Sequence, residues 1–257
     1  MTDPAPTATN PVKATRTTMR ILEALVEREG AGVTELAERV DRPKSSVHGY
    51  LSTLRESGYV VKSGGEYHLG LSLLEFGSFA RRRYPVYEVA KPEVRALAEQ
   101  TGELANLLVE ERGRGVYVCR ETGDRAVGVD SYTGHRVSLH NTALGKAILA
   151  NLPLERVDEI VERHGLPEAT ESTITDREEL YDRLERVRSR GIAFDDEERL
   201  DGLRCVAAPI LADDGSVAGA ISVSGPTRRL RGDRFAEELP ELLRDAAKVI
   251  ELNLTYT

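Results

Sequence analysis

The sequence predicts an α+β fold in which a small helical module with a β-hairpin precedes a larger antiparallel sheet covered by helices. Between residues 16 and 56, apolar residues recur at helical spacing in three successive segments, which is typical of amphipathic helices. Beyond residue 86, helical segments alternate with β-rich runs that adjoin one another along the chain. Such an order favours a sheet with helices grouped around it. A chain of 257 residues is long enough for two ordinary domains.

The first 56 residues divide into an arm and three predicted helices. Residues 1–12 are rich in Thr, Pro and Ala, and we expect a disordered arm because little there offsets the entropy of ordering. The apolar spacing predicts helices over 16–28, 33–40 and 44–56. Pro43 suits the first position of the third helix.

A short β-hairpin is predicted next, from strands at 59–62 and 66–69 joined by Ser63-Gly64-Gly65. Three helices followed by a hairpin form a winged helix-turn-helix, whose second turn helix enters the major groove of DNA with its N-terminal residues towards the bases. An alternative is that Ser45 and Ser46 only cap the helix and His48 is an ordinary surface residue. The candidate DNA contacts are Arg42, Lys44, Ser45, Ser46, His48, Gly49, Tyr50 and Lys62.

A linker helix is predicted from Leu71 to Arg83, before Tyr84-Pro85 interrupts it. The arginines at its end either touch phosphate or form a solvated helix end whose cations suit the helix dipole. The predicted domains are therefore 13–70 for DNA binding, 71–86 for the linker and 87–257 for the remainder.

The C-terminal part is predicted to alternate helices and strands. We expect its sheet to be antiparallel, because Asp213-Asp214-Gly215 joins its last two strands as a hairpin. Predicted helices span 89–100, 144–152, 154–163, 176–190 and 235–254, and predicted strands span 104–109, 116–120, 126–130, 192–194, 205–211 and 217–224.

The formal net charge of −8 argues, taken whole, against a nucleic-acid binder, but the charge is unevenly distributed. Residues 1–83 hold 12 basic and 10 acidic residues, whereas the remainder holds 23 and 33. The acidic composition, with 29 Arg and 6 Lys, is typical of proteins adapted to high salt. No apolar run reaches the length of a membrane span, and the N-terminus lacks a secretory pattern, so we expect a cytoplasmic protein without membrane partners.

Neither a metal nor a cofactor is predicted. The two cysteines, Cys119 and Cys205, are far apart and form no Cys-x-x-Cys pair, which excludes a disulfide framework and a zinc ribbon of ordinary spacing. The acidic run 195–198 includes no histidine, and its consecutive side chains point in different directions, so solvated acids are the favoured interpretation.

Five segments resemble the IclR family of transcription regulators, in the family's order and spacing. One is the start of the predicted third helix, PKSSVH; the other four lie in the C-terminal part. The segments are PKSSVH at 43–48, SLHNTALGKA at 138–147, GIAFDDEE at 191–198, GLRCVAAPI at 202–210 and AISVSGP at 220–226.

This resemblance implies a winged helix-turn-helix, a linker helix and a GAF-like domain that binds a small effector and mediates assembly. It also implies a homodimer, with further association into tetramers. The family's effector contacts fall on matching positions of this sequence, which are Ala143, Leu144, Asp195, Cys205, Ser222 and Ser224.

The residues themselves suit a small polar ligand. Ser222 and Ser224 are two apart on a predicted strand, so their hydroxyls share a face, and Asp195 precedes the strand of Cys205 across a loop. The amides of Ala143 and Leu144 begin a predicted helix and attract an anion, such as a carboxylate or a sugar-derived acid. Alternatively, the residues before that helix only cap it.

The predicted function is a non-enzymatic, effector-controlled transcription regulator of a catabolic operon. The alternative is a ligand-sensing module whose output is protein contact. Least supported is a hydrolase built from Cys205, His140 and Asp195, because a cysteine within an apolar strand is usually inert. The sequence departs from the family at Gly49, where many members carry a basic residue.

Overall fold

The computed structural model describes residues 9–129 and 131–256. The chain divides after Ala80 into two compact units. The predicted arm lies mostly in residues 1–8, outside the described ranges.

The N-terminal unit is built on three helices, α1 (Lys13–Glu27), α2 (Val33–Val40) and α3 (Lys44–Glu56). Each helix places one apolar stripe in a common core, with Ile21, Leu36 and Leu51 almost wholly buried. The turn between α2 and α3 passes through Asp41 in the left-handed conformation, with φ of 53°, which aspartate tolerates better than most residues.

The predicted hairpin is confirmed as strands β1 (Val60–Ser63) and β2 (Glu66–Leu69). Gly64 and Gly65 form its turn with φ of 60° and 94°, and two successive positive φ angles match the twist of a two-residue hairpin. The next helix, α4 (Ser72–Arg81), has no buried residue.

The C-terminal unit contains a six-stranded sheet in which every neighbouring pair is antiparallel. The spatial order is β5-β4-β3-β8-β7-β6, so the centre of the sheet pairs one strand from each half of the unit. The strands are β3 (Leu104–Glu111), β4 (Arg114–Thr122), β5 (Arg136–Val137), β6 (Ala193–Asp196), β7 (Leu203–Leu211) and β8 (Val217–Pro226).

The predicted covering of the sheet by helices is confirmed, and the helices pack on both of its faces. One face packs on α5 (Val86–Thr101) and α9 (Leu239–Thr255), and the other on α6 (Ala143–Leu149), α7 (Leu154–His164) and α8 (Arg177–Arg190). The small α6 is buried along its whole length. Among the described helices, none is long and apolar enough to cross a membrane.

The strand predicted at 126–130 is wrong. Residues 126–129 have no strand structure, Asp130 lies outside the described residues, and the edge strand of the sheet is β5 instead. The cause is a turn in which the Ala126 amide donates to the Gly123 carbonyl and the Arg125 amide donates to the Gly102 carbonyl. These backbone groups are therefore not available for a strand ladder.

Several helix ends also differ from the predictions. α5 begins three residues earlier than predicted and contains Pro92 within its first two turns. α6 ends at Leu149 rather than residue 152, because the chain turns before Pro153. The last predicted helix is an α-helix only from Leu239, since 234–238 form a π-helical turn.

The start of β3 is fixed by a buried carboxylate. Glu103 is fully buried, and its two oxygens accept hydrogen bonds of 2.7 and 2.6 Å from the Arg229 guanidinium. Arg234 lies 3.6 Å from the same carboxylate. This pair ties the segment after β8 to the beginning of β3.

We expect Arg229→Ala to lower the free energy of unfolding by about 3 kcal/mol, because the buried Glu103 carboxylate then keeps only the longer ion pair with Arg234. The measurement is urea denaturation at pH 7. Arg228→Ala is the matched control, since Arg228 is exposed; equal stability of the two variants would contradict the prediction.

Candidate functional site

The third helix presents a polar face to solvent. Val47, Leu51 and Leu54 are buried, and they fix the orientation of α3 on the core. Of the candidate DNA contacts, only Tyr50 is half-buried, and it packs against that core. The exposed candidates are Arg42, Lys44, Ser45, Ser46, His48, Gly49 and Lys62.

The start of α3 is open to a ligand. Its N-cap is Pro43, which makes no side-chain capping bond, so Ser45 and Ser46 follow the cap rather than form it. Free amides in the first turn of a helix favour phosphate. Gly49 follows on the exposed side of the helix, and a Cβ built there would meet nothing within 4 Å. Glycine is therefore not required at this position by packing within the unit.

The predicted effector residues of the sheet lie in two neighbouring cross-strand rows. Asp195 on β6 is directly opposite Cys205 on β7, which is opposite Ser224 on β8. The Ser224 hydroxyl donates to the Cys205 sulfur at 3.0 Å. In the adjacent row, Ser222 is opposite Asn106 of β3, whose amide nitrogen lies 3.4 Å from the Ser222 hydroxyl oxygen. These side chains share the sheet face covered by α6.

Asp195 is part of β6, because the strand extends beyond its predicted end at Phe194 to Asp196, which pairs with Arg204 of β7. Burial raises the pKa of Asp195 to about 7, against the opposite effect of the nearby Lys146 cation. The carboxyl group also accepts a 2.8 Å hydrogen bond from the Glu198 amide.

The other two predicted effector residues begin α6. Thr142 is the N-cap, and its hydroxyl accepts a 3.0 Å hydrogen bond from the Gly145 amide. This cap confirms one part of the alternative interpretation, but it engages only the third residue of the helix. In the described chain, no hydrogen-bond acceptor is recorded for the amides of Ala143 and Leu144.

A buried ion pair beside this row was missed by sequence reasoning. Lys146 of α6 is fully buried, and its ammonium contacts Glu198 Oε1. Arg183 lies 3.5 Å from the same oxygen. Burial lowers the pKa of Lys146, although Glu198 and Asp195 act in the opposite direction. A helical lysine followed 52 residues later by a glutamate carries no local signal of such a contact.

Tyr117 and Arg199 were missed as well. The Arg199 guanidinium donates to the Tyr117 hydroxyl at 3.0 Å. Burial raises the pKa of Tyr117 to about 12, while Arg199 acts to lower it and Cys205 and Asp195 act to raise it. The arginine is therefore close enough to the row to supply a positive charge there.

The geometry does not support Cys205 as a nucleophile. Burial, with Asp195 adding to the effect, raises the pKa of the Cys205 thiol to about 12, whereas a nucleophilic cysteine needs a thiolate. His140 Nε2 bonds to the Pro167 carbonyl at 3.1 Å, and burial lowers the pKa of the imidazole. No group of three or more metal-ligating side chains occurs within residues 9–129 and 131–256.

The C-terminal unit also contains a groove of about 620 Å³ at another place. It lies where β3 and β8 diverge, between Val109 and Ala218, and extends to Leu152 and Leu254. None of the six predicted effector residues lines it.

The comparisons with known proteins agree with this arrangement of two units. The sequence model of the IclR helix-turn-helix domain matches residues 16–64, and that of the bacterial transcriptional regulator IclR C-terminal domain matches residues 79–252. The chain belongs to the IclR family of transcription regulators. As a member of this family, it is a DNA-binding transcription regulator with a ligand-binding C-terminal domain, and it is not an enzyme.

Individual relatives cover nearly the whole chain. A protein of Halobacterium salinarum named "Probable HTH-type transcriptional regulator ArcR" is 34% identical over 92% of this chain and 91% of its own length. The crystal structure of the Thermotoga maritima IclR has a TM-score of 0.78 at 31% identity, covering 94% of this chain and 98% of that one. An IclR homolog from Microbacterium hydrocarbonoxydans, complexed with 4-hydroxybenzoate, has a TM-score of 0.82 at 25% identity, covering 95% and 100%.

We expect Asp195→Asn to reduce the pH dependence of stability. Because the pKa of Asp195 is about 7 in the folded protein and about 3.9 in an unfolded chain, its contribution is complete below about pH 4 and is lost as the pH rises through about 7. Between pH 5 and 8, the wild type should therefore lose about 2 kcal/mol relative to the variant. Urea denaturation at both pH values measures this difference.

The control is Asp196→Asn, because Asp196 is the exposed neighbour on the same strand. Asp196→Asn should retain the wild-type pH dependence. A wild type and an Asp195→Asn variant with the same dependence would contradict the assignment.

Proposed function

We propose that this chain is a cytoplasmic regulator of a catabolic operon that binds operator DNA through residues 13–70 and a small effector through residues 87–257. Residues 71–86 would connect the two. The single observation that carries the proposal is the exposed polar N-terminal half of α3, held outward by its buried apolar stripe. In this proposal, the base and phosphate contacts are made by Arg42, Lys44, Ser45, Ser46, His48, Gly49, Tyr50 and Lys62.

A homodimer follows from the way such regulators read DNA, because two recognition helices must meet half-sites about one helical turn apart. The support within the N-terminal unit is an exposed apolar surface on α4. Leu74 is 65% exposed, Phe76 57% and Phe79 73%, which is unusual for apolar side chains of this size. We propose that a second copy covers this surface, and that dimers associate further into tetramers.

High-salt operation is a further part of the proposal. Its support is the acidic composition after residue 83 and the similarity to a relative from Halobacterium salinarum. Counterion release contributes little to DNA affinity at high salt, so specificity would depend mainly on base and shape contacts near Lys44 and His48.

For the effector, the proposal is a small anion, either a carboxylate or a sugar-derived acid, bound in a GAF-like domain. The two free amides of Ala143 and Leu144 would receive the acid group. Protonation of Asp195 at or below about pH 7 would avoid repulsion between two close carboxylates. An effector changes operator affinity only by as much as it prefers one conformation over the other.

We expect the double variant Lys44→Ala, Ser46→Ala to lower affinity for the operator at least ten-fold, because a base or phosphate contact contributes about 1–3 kcal/mol. A gel-shift titration of the full-length protein measures this, with the operator isolated by selection from random duplexes.

Lys248→Ala is the control, since Lys248 is exposed on α9, and it should bind as the wild type does. A duplex with one half-site should bind much more weakly than one with two. Unchanged affinity of the double variant would show that α3 is not the reading helix.

Ser222→Ala and Asp195→Ala should each weaken effector binding at least ten-fold, because each removes a polar group from the proposed site. The measurement is calorimetric titration of the full-length protein with short carboxylates and sugar acids. Ser216→Ala, in the exposed turn before β8, is the matched control. Binding that survives both substitutions would place the effector elsewhere.

A further inference from the structure

The groove at one end of the C-terminal sheet opens because two central strands stop pairing there. The pairing of β3 with β8 ends at Leu108 and Ala220, and beyond this point β3 continues beside β4 and β8 continues beside β7. Val109 of β3 and Ala218 of β8 line the gap that results, whose volume is about 620 Å³. This volume lies within the range of small-molecule sites. The gap between the two strands is therefore large enough to hold a ligand.

Apolar side chains from both helical layers form walls of this groove. Ile148 of α6 and Leu152 after it come from one face of the sheet, and Leu254 of α9 comes from the other. Tyr84, before α5, adds an aromatic ring. A hydrocarbon or aromatic group that bound here would exchange water for apolar contacts, which is favourable. The groove therefore suits a ligand with an apolar body.

The charged residues that line the groove are acidic. They are Glu110 near the end of β3 and Asp213 and Asp214 in the turn between β7 and β8, and the described lining includes no lysine, arginine or histidine. Hydrogen bonds from Ser216 lower the pKa of Asp214, so its carboxyl group is ionised at neutral pH. A cleft lined by one sign of charge attracts ligands of the opposite sign. The groove therefore favours a cation over an anion, in contrast to the proposed effector site.

Glu110 offers a buried acceptor to such a cation. Its side chain is 10% exposed, and its Oε1 atom accepts hydrogen bonds of 2.6 Å from the Gly113 amide and 2.9 Å from Arg156. For Oε2, no hydrogen bond is recorded within residues 9–129 and 131–256. Arg156 is also paired with Glu159 at 2.9 Å, so the three side chains together carry one negative charge. A carboxylate oxygen only accepts hydrogen bonds, so the partner of Oε2 in a ligand must be a donor.

We propose that this groove is a second ligand site, separate from the effector site, and that it binds an amine with an apolar body. The ammonium group lies at Glu110 and the acidic turn, and the body packs on Ile148, Leu152 and Leu254. An ammonium group supplies three donors and the positive charge. An alcohol of the same shape lacks the charge, and a short amine leaves the apolar walls in water.

The test is a calorimetric titration of the full-length protein with amines that carry a phenyl group. The probes are benzylamine, 2-phenylethylamine and 4-phenylbutylamine, each compared with the alcohol of the same carbon skeleton and with ethylamine. The tightest of the three amines should bind roughly ten-fold or more above its matched alcohol and above ethylamine. Equal binding of the alcohol, equal binding of ethylamine or no binding of any amine would each overturn the inference.

Ala218→Leu locates the bound amine. The larger side chain fills part of the groove, so the affinity for the tightest amine should fall roughly ten-fold or more. Leu254→Trp serves the same purpose at the end of α9 if Ala218→Leu does not fold. The matched control is Ala96→Leu, because Ala96 is exposed on α5 and does not line the groove. Ser222→Ala, in the proposed effector site, should also leave the amine affinity unchanged.

Unchanged amine affinity in a folded groove-filling variant would show that the amine binds elsewhere. Loss of amine affinity in Ser222→Ala would place it in the effector site. Either result would contradict the proposal.

The charge requirement is tested by the double variant Asp213→Asn, Asp214→Asn and, separately, by Glu110→Gln. Each removes negative charge and keeps the shape of the side chains, so each should weaken the amine roughly five-fold or more and the matched alcohol less than about two-fold. Glu241→Gln with Asp245→Asn is the matched control, since both residues are exposed on α9 outside the groove. If folded variants of both kinds bind the amine as the wild type does, the acidic residues do not select the ligand and the inference is wrong.

A second copy of the chain is the other occupant that an apolar groove would suit. Sedimentation velocity of the wild type and of Ala218→Leu separates the two cases. For a small-molecule site, both proteins should have the same oligomeric state. Dissociation of the assembly by Ala218→Leu, together with no amine binding to the wild type, would show that the groove is an interface between copies.

Discussion

The C-terminal unit depends on the antiparallel pairing of β3 with β8, two strands that meet across more than 100 residues of sequence. Asn106 and Ser222, which are 116 residues apart, are direct partners in this pairing. The pairing joins a three-stranded half-sheet of β3, β4 and β5 to another of β6, β7 and β8. Without it, the sheet would separate into these two halves, and Ser222 would lose its contact with Asn106.

Two buried ion pairs lie close to this sheet. Glu103 at the start of β3 is paired with Arg229, and Lys146 above the sheet is paired with Glu198. Such pairs add little net stability compared with apolar residues, but breaking one is costly. They therefore act against alternative arrangements of the same segments. The excess of acidic residues, by contrast, lies after residue 83, whereas residues 1–83 carry a small excess of basic residues.

Much of the fold was predictable because local patterns in the sequence, namely apolar spacing and turn residues, determine many of its elements. The helices α1 to α3 and the hairpin with Gly64-Gly65 follow from apolar spacing and turn chemistry alone. The prediction of a strand at 126–130 was wrong because the chain turns there. The Arg125 amide donates to the Gly102 carbonyl and the Ala126 amide to the Gly123 carbonyl, and apolar spacing does not indicate such bonds. For the same reason Lys146 and Glu198 were missed: their sequence separation hides a contact that only the packed helix creates. The candidate effector residues were identified from family motifs, and the strand register of the structure shows that Asp195, Cys205 and Ser224 are cross-strand neighbours.

Gly145 sets a limit on how the ligand preference of this chain can diverge. A Cβ at this position would lie 2.1 Å from the Leu139 carbonyl oxygen, so any other residue would push α6 away from its preceding segment. The Ala143 and Leu144 amides are thereby held in place by backbone packing, and they persist in every substitution except one to proline, which lacks the N–H. Point mutations can alter the polar side chains around the proposed site while leaving these two main-chain donors intact. In the proposed site, recognition of an acid group would therefore be inherited with the fold, and recognition of the rest of the effector would depend on exchangeable side chains.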